Sequence, residues 1–557
     1  MQEASEGETG NAGVDIIALA RETLGIPEEA LIPYGRRVAK VSLPWLAALP
    51  QGRQGKLLLV TSMTSTSRGE GKTGVAIALG DALNQLGKRT VVCLRQPSLG
   101  PVFGLKGGAA GSGRSRLIPG EAINLHFTGD SHAVAASHNL LAALLDNHRY
   151  WGNTLGIDPV TITWRRVLDL GDRSLRSVLT FAEPAWNPNA RITHFDIAPA
   201  SEVMAILALA ESWKDLTERL GRIVVSRDRQ GHPIRARDLK AEGAMAALLK
   251  DALAPNLVQT LEGSPVLVHA GPFANIAHGC NSVVATRAGL ALADLVVSEA
   301  GFGSDLGAEK FVDIKCRQSG LRPAAAIIVA TLTSIKHHGG AAADRLEAQN
   351  PEALERGLSN LARHLGIVRE VLGIPCVVCL NRFSSDSERE LAYTIQRVES
   401  LGVAARVSEH WSNGGSGARA LAQEVLRISD SQGCCRFAYD EALPLIKKLE
   451  ILTTDVYGGA EVRAEPAALR ELEWLEARGF GHLPVCVAKT QHSLSADPGL
   501  RGAASDHVVP LTELRLAAGA GFVVALCGDM TTMPGLPSRP RAESIELLPD
   551  GRITGLD

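Results

Sequence analysis

The run Leu57-Leu58-Leu59-Val60-Thr61-Ser62 leads into Met63-Thr64-Ser65-Thr66-Ser67-Arg68-Gly69-Glu70-Gly71-Lys72-Thr73, which opens a helical pattern lasting to Leu86. Gly87 supplies a left-handed closing residue, and Thr90-Val91-Val92-Cys93-Leu94 resumes as an apolar strand. Strand, glycine loop, helix and strand in that order make a βαβ crossover. Gly69 and Gly71 let backbone amides turn inward on phosphate oxygens, Lys72 reaches the terminal phosphates, and the Thr73 hydroxyl can ligate magnesium. A strict GxxxxGK[ST] loop would carry Gly where this chain has Thr66. Thr66, Ser67, Arg68, Gly69, Glu70, Gly71, Lys72 and Thr73 are the candidate residues for binding a nucleoside triphosphate, with Thr73 also on Mg²⁺.

Working outward, Leu94 delivers the chain into Arg95-Gln96-Pro97-Ser98, at the carboxyl end of a strand beside the phosphate loop, where ligands bind in open parallel sheets. The planar fork of Arg95 suits a transferring phosphoryl group. Gly104, Gly107, Gly108, Gly111 and Gly113, with Lys106 among them, mark backbone close to a ligand or a loop. Val266 to His269, Leu295 to Glu299, Ala324 to Ala330 and Ile374 to Asn381 read as further buried strands. Ser201 to Leu220 reads as one long helix. The fold class expected is α/β: a P-loop NTPase-like, mostly parallel sheet with helices on both faces, an inserted subdomain and a C-terminal α/β domain. Boundaries are placed at 1–14 (disordered), 15–118 with 264–365 (nucleotide-binding), 119–263 (inserted) and 366–557 (C-terminal, contributing to a second substrate site).

A net charge of −3 over 557 residues leaves no basic field for nucleic acid or an anionic membrane. Met1 to Gly13 lacks the basic and apolar regions of a signal peptide, and no apolar run is long enough to span a bilayer, so a cytoplasmic protein is expected. Nine cysteines, an odd number, fit reduced thiols. The one CxxC, Cys376 to Cys379, lies within an apolar run whose strand geometry sends the two thiols to opposite faces. With aromatics at only 4%, Phe383 just past Asn381 and Trp411 just before Ser412-Asn413-Gly414-Gly415 stand out as rings able to stack a flat heterocycle.

The chain resembles the formate–tetrahydrofolate ligase family (10-formyltetrahydrofolate synthetase) from about Gly25 to Gly555. The matching runs include Gly69 to Thr73, Pro97 to Pro101, Asn124 to Asp130, His138 to Asn147, Gly271 to Val283, Glu299 to Arg317, Ala488 to Gln491 and Thr532 to Pro537. The resemblance implies MgATP-dependent ligation of formate to tetrahydrofolate through formyl phosphate. It further implies Lys72, Arg95 and Asp130 as catalytic residues, and Phe383 and Trp411 around the pterin. A homotetramer and a response to a monovalent cation, K⁺ or NH₄⁺, are implied as well, with no nucleic-acid or membrane partner.

Several positions depart from the family's usual pattern. Ser67 stands for Pro and Gly74 for Thr; Gln96 stands for the Glu associated with the monovalent cation; Ser384 replaces a Pro; His492 and Ala496 replace Tyr and Asp. These departures motivate a second reading, a diverged relative that binds nucleotide or folate without catalysis.

Overall fold

In the computed structural model of the chain, residues 13–50, 55–105, 108–181, 189–431 and 433–556 are described. Most of the expected disordered N-terminus, and Lys106 with Gly107, lie outside them. Val14 is tied down: its N–H donates to Gln259 Oε1 at 3.0 Å and its carbonyl accepts from Gln259 Nε2 at 2.6 Å.

Seven parallel strands form the centre of the main sheet: β1 (Lys56–Ser62), β2 (Thr90–Leu94), β3 (Pro265–Val268), β4 (Leu295–Gly303), β5 (Pro323–Ala330), β6 (Cys376–Asn381) and β7 (Ala405–Ser408). Their spatial order is β3-β2-β4-β1-β5-β6-β7. Beyond β3 the sheet turns antiparallel through Asn256–Thr260, Ala39–Val41 and Leu31–Pro33. Period-two alternation fixes the faces. Leu57, Leu59, Val91, Cys93, Leu267 and Val378 enter one core, while Leu58, Val60, Val92, Leu94, Val266 and Val377 enter the other. Both faces are therefore covered, which is why these strands read as unbroken apolar runs rather than alternating ones. Cys376 and Cys379 fall in opposite cores, and burial pushes the Cys379 thiol up to about 12, so neither thiol is poised for chemistry.

The crossover helix α1 (Lys72–Gln85) is buried continuously from Gly74 to Leu83. It lies close on the sheet because Gly80 has no Cβ to meet the Val92 side chain. The expected helix over Ser201 to Leu220 is instead two, Glu202–Leu209 and Trp213–Arg222, because the Ser212 hydroxyl caps the second by accepting from Asp215 N at 3.1 Å. These helices, with Asp130–Tyr150 and Glu242–Leu249, enclose a separate apolar core that Cys486 and Phe522 of the C-terminal region also join. The boundary expected at 365/366 crosses the main sheet, since β6 and β7 extend it in parallel beyond that point. A second sheet follows, ordered Glu461–Ala464, Val508–Ala517, Phe522–Cys527, Val485–Ala488. Among the described residues, no helix is long and apolar enough to cross a membrane.

Candidate functional site

The carboxyl edge of the parallel sheet gathers the chemistry. Gly69 (φ 75°) and Gly71 (φ 76°) take the left-handed backbone conformation, and Gly71 caps α1. A Cβ on Gly71 would collide with Asn381 Nδ2, which donates to the Glu70 carbonyl at 3.0 Å. The end of β6 therefore holds the loop from outside. From inside, the buried Glu70 carboxylate accepts from Thr66 N at 2.7 Å and from Ser334 Oγ at 3.4 Å. The turn is thus shaped by its own side chain before any ligand is considered.

Lys72 follows Gly71 at the start of α1, where the helix dipole favours anions. Its Nζ donates to Ser62 Oγ at 3.0 Å and lies 3.6 Å from Glu70 Oε2. Burial is the main influence on this ammonium and pulls its pKa below the usual lysine range, while Glu70 and Glu299 oppose that and Arg95 adds to it. Thr73 Oγ1 donates to Glu299 Oε2 at 2.9 Å, and Arg95 Nε lies 3.8 Å from Glu299 Oε1. Glu299 is thereby the hinge of the cluster: from β4, between β1 and β2, it touches both the loop threonine and the arginine. Arg95 is held further by its Nη1, which donates to the Pro272 carbonyl at 3.0 Å. Its Nε is buried without a hydrogen-bond partner, and a Cβ on Gly301 would stand 2.9 Å from Nη1. A guanidinium backed by a missing side chain, with a donor left over, suits an incoming anion.

The other expected residues are placed as follows. Arg68 pairs at the surface with Glu347 at 2.8 Å, and Ser67 is exposed. Gln96 is buried, its N–H donating to Ala270 O at 2.7 Å. Asp130 sits on the same sheet edge but outside the Lys72–Arg95–Glu299 cluster: it accepts from Lys40 Nζ at 2.9 and 3.0 Å and from Asn256 Nδ2 at 2.8 Å, all buried. Asn381 and Ser408 pair in register at the ends of β6 and β7, so Phe383 and Trp411 leave that edge from adjacent strands. They are 43% and 62% exposed, a high value for large rings and what a stacking platform requires. Trp411 is steadied by its carbonyl, which accepts from Arg114 N at 2.9 Å.

Glu299 was not among the expected site residues, whereas Glu70 was expected as part of the glycine loop. An apolar strand ending in an acid, Leu295-Val296-Val297-Ser298-Glu299, is the signal that marks the first. For Glu70, already a candidate from the loop pattern, no local signal points to its carboxylate accepting from Thr66 N and Ser334 Oγ. Gly74 also becomes intelligible: a Cβ there would stand 2.7 Å from His410 Nε2, so His410 occupies the space that a larger residue at 74 would need.

Fold and site together define an α/β protein built on a large, mostly parallel sheet whose glycine loop, Lys72, Thr73, Glu299 and Arg95 share one edge. The family profile described as formate–tetrahydrofolate ligase matches residues 9–557. The chain is similar to the formate–tetrahydrofolate ligases of Methylococcus capsulatus (55% identical over 543 residues, 97% of each chain) and of a Methylobacterium species (54%, 97% of each). It is 54% identical to that of Granulibacter bethesdensis, covering 97% of this chain and 95% of the relative. The chain belongs to the formate–tetrahydrofolate ligase family.

Proposed function

We propose that the protein joins formate to tetrahydrofolate with ATP, and that the observation carrying this reading is the contiguous cluster Lys72, Thr73, Glu299 and Arg95 beside the glycine loop. The loop amides and Lys72 hold the triphosphate. A formate oxygen attacks the terminal phosphorus, the bond to ADP breaks, and formyl phosphate results. The folate nitrogen then attacks the formyl carbon, phosphate leaves, and the nitrogen loses its proton, giving 10-formyltetrahydrofolate. Such phosphoryl transfer needs positioning and charge neutralisation more than covalent help. Arg95 neutralises charge on the transferring group, and the Thr73 hydroxyl with the Glu299 carboxylate would hold Mg²⁺, which neutralises phosphate charge when bound. Asp130, through Lys40 and Asn256, fixes the sheet edge next to the Arg95 strand. Phe383 and Trp411 stack the pterin. With neutral Gln96 in place of a carboxylate, K⁺ or NH₄⁺ stimulation is weak. The assembly is a homotetramer, which light scattering tests.

The deciding experiment measures ADP release and 10-formyltetrahydrofolate formation with each substrate omitted in turn, with and without potassium. Activity requires all three substrates, and Lys72→Ala abolishes it with the fold intact. Turnover of ATP that ignores formate and tetrahydrofolate refutes the assignment. Tight folate binding with no formyl transfer over hours establishes the non-catalytic reading instead.

A further inference from the structure

The segment after strand Val485–Ala488 crosses from the second sheet to the phosphate loop. Lys489, wholly buried, anchors it: Nζ donates to Asp305 Oδ2 at 2.8 Å and to Ser493 O at 2.6 Å. Farther along, Asn360 Nδ2 donates at 2.8 Å both to Gly502 O and to Thr64 Oγ1, the threonine two residues past β1. Between these anchors lies the turn at Gln491 and His492. His492 Nδ1 is 3.2 Å from the Ser65 carbonyl, His492 Nε2 is 2.9 Å from Gln491 Nε2, and Asn275 Nδ2 is 3.4 Å from Gln491 Oε1.

The donors and acceptors in this chain permit one consistent direction. A carbonyl only accepts, so His492 Nδ1 carries a proton; an amide nitrogen only donates, so Nε2 is the bare acceptor; Gln491 Oε1 is then free to accept from Asn275. The neutral Nδ1–H tautomer of His492 is therefore built into the relay. Its two ends fall on the two loops that carry the site. Ser65 belongs to the phosphate loop, and Asn275 lies three residues past Pro272, whose carbonyl holds Arg95. Asn275 Oδ1 is buried without a hydrogen-bond partner, and among the described residues the strap through Gln491 is the one side-chain hydrogen bond that Asn275 makes.

We infer that His492 is a positioning residue, and that the Gln491–His492 turn is a strap fixing the separation between the phosphate loop and the Arg95 loop. The inference rests on the proposed reaction. It makes a split prediction, because the two ends serve different steps. The Ser65 end sets how the loop receives ATP, in ground state and transition state alike, and so appears in KM for ATP. The Asn275 end sets the aim of Arg95 during transfer, and so appears in kcat.

The test is steady-state kinetics of the full chain. His492→Phe, which keeps the ring and loses both hydrogen bonds, raises KM for ATP roughly tenfold and lowers kcat. His492→Asn, whose amide still donates at the position of Nδ1, restores KM for ATP while kcat stays low. Gln491→Met lowers kcat roughly tenfold and leaves KM for ATP within about twofold. If His492→Phe does not fold, the contrast between His492→Asn and Gln491→Met still decides. Variants that all match the parent, or a Gln491→Met that moves only KM for ATP, overturn the strap. An inactive parent protein would instead overturn the proposed reaction, so the two failures are distinguishable.

Discussion

Gly74→Thr is the sharpest perturbation the structure offers, because the obstacle is a single side chain. A Cβ at position 74 would stand 2.7 Å from His410 Nε2, against an ordinary contact beginning at 3.4 Å, so something must retreat by about 0.7 Å. Helix α1 cannot. It is buried from Gly74 to Leu83 and pressed on β2 at Gly80. His410 is held too: its Nδ1 is 3.1 Å from Ser408 Oγ and its carbonyl accepts from Ser115 Oγ at 3.1 Å. Overpacking of this kind costs about 1–3 kcal/mol. His410→Val alone leaves a small void and costs roughly 1–2 kcal/mol. In the double variant the new side chain fills part of the void and meets no ring, so a coupling of about 1–3 kcal/mol is recovered, within the range for residues in contact. The assay is a double-mutant cycle on urea unfolding midpoints and on KM for ATP. Gly74→Thr alone should raise KM roughly tenfold, because α1 begins one residue past Gly71 and its first amides are those proposed to hold the phosphates. A Gly74→Thr protein as stable and as tight for ATP as the parent, or one that His410→Val fails to rescue, would refute the steric account.

Glu299→Gln should raise the Mg²⁺ concentration required for activity by about 10–100-fold, measured by metal titration, since the carboxylate that orients Thr73 and Arg95 becomes a neutral amide. Trp411→Ala should raise KM for tetrahydrofolate by roughly 5- to 100-fold, the equivalent of about 1–3 kcal/mol of stacking, and leave KM for ATP unchanged. Asp81 makes a stability prediction. Burial lifts its carboxyl from the ordinary 3.8 to about 6, although Ser264 and Thr260 pull the other way. The native state holds that proton more tightly than the unfolded chain, so stability falls as pH rises from 3.8 to about 6 and remains lower above, by about 3 kcal/mol. Asp81→Asn should therefore gain stability at pH 7.5 and change little at pH 4, as read from urea midpoints.

The βαβ crossover is legible from the sequence because each of its parts obeys a local rule. Leu57 to Val60 is apolar on both faces, Gly71 must take positive φ, and Gly87 must close a helix. None of these depends on distant residues. The break at Ala210 to Ser212 is less legible, since an apolar helical pattern continues across it and only the Ser212 cap divides it. The boundary at 365/366 misleads for a related reason: a charged helix, Pro351–Gly366, resembles a domain edge in composition, yet it covers one side of a sheet that continues. Least legible are contacts between distant segments. Glu299 on Thr73, His410 against Gly74 and His492 on Ser65 each join positions more than two hundred residues apart, and no local pattern encodes such pairs.

The charges at the centre explain why the cluster is stable before substrate arrives. Lys72 and Arg95 contribute two positive charges, Glu70 and Glu299 two negative, and the ion pairs at 3.6 and 3.8 Å leave the group neutral. A largely buried neutral cluster, its two cations partly exposed, avoids the large desolvation penalty of unpaired cations. It also sets a condition on binding. A triphosphate bringing about four negative charges would meet two cations already offset by two carboxylates, so a divalent cation that reduces its charge favours its binding. Glu70 lies on the loop itself and accepts from Thr66 N, so it cannot withdraw without undoing the turn. Its carboxylate therefore stays at the loop whatever binds there. Glu70→Gln should weaken discrimination between MgATP and metal-free ATP, measured as the ratio of their inhibition or binding constants. A ratio unchanged by that substitution would show that the carboxylate shapes the loop without selecting the metal-bound nucleotide.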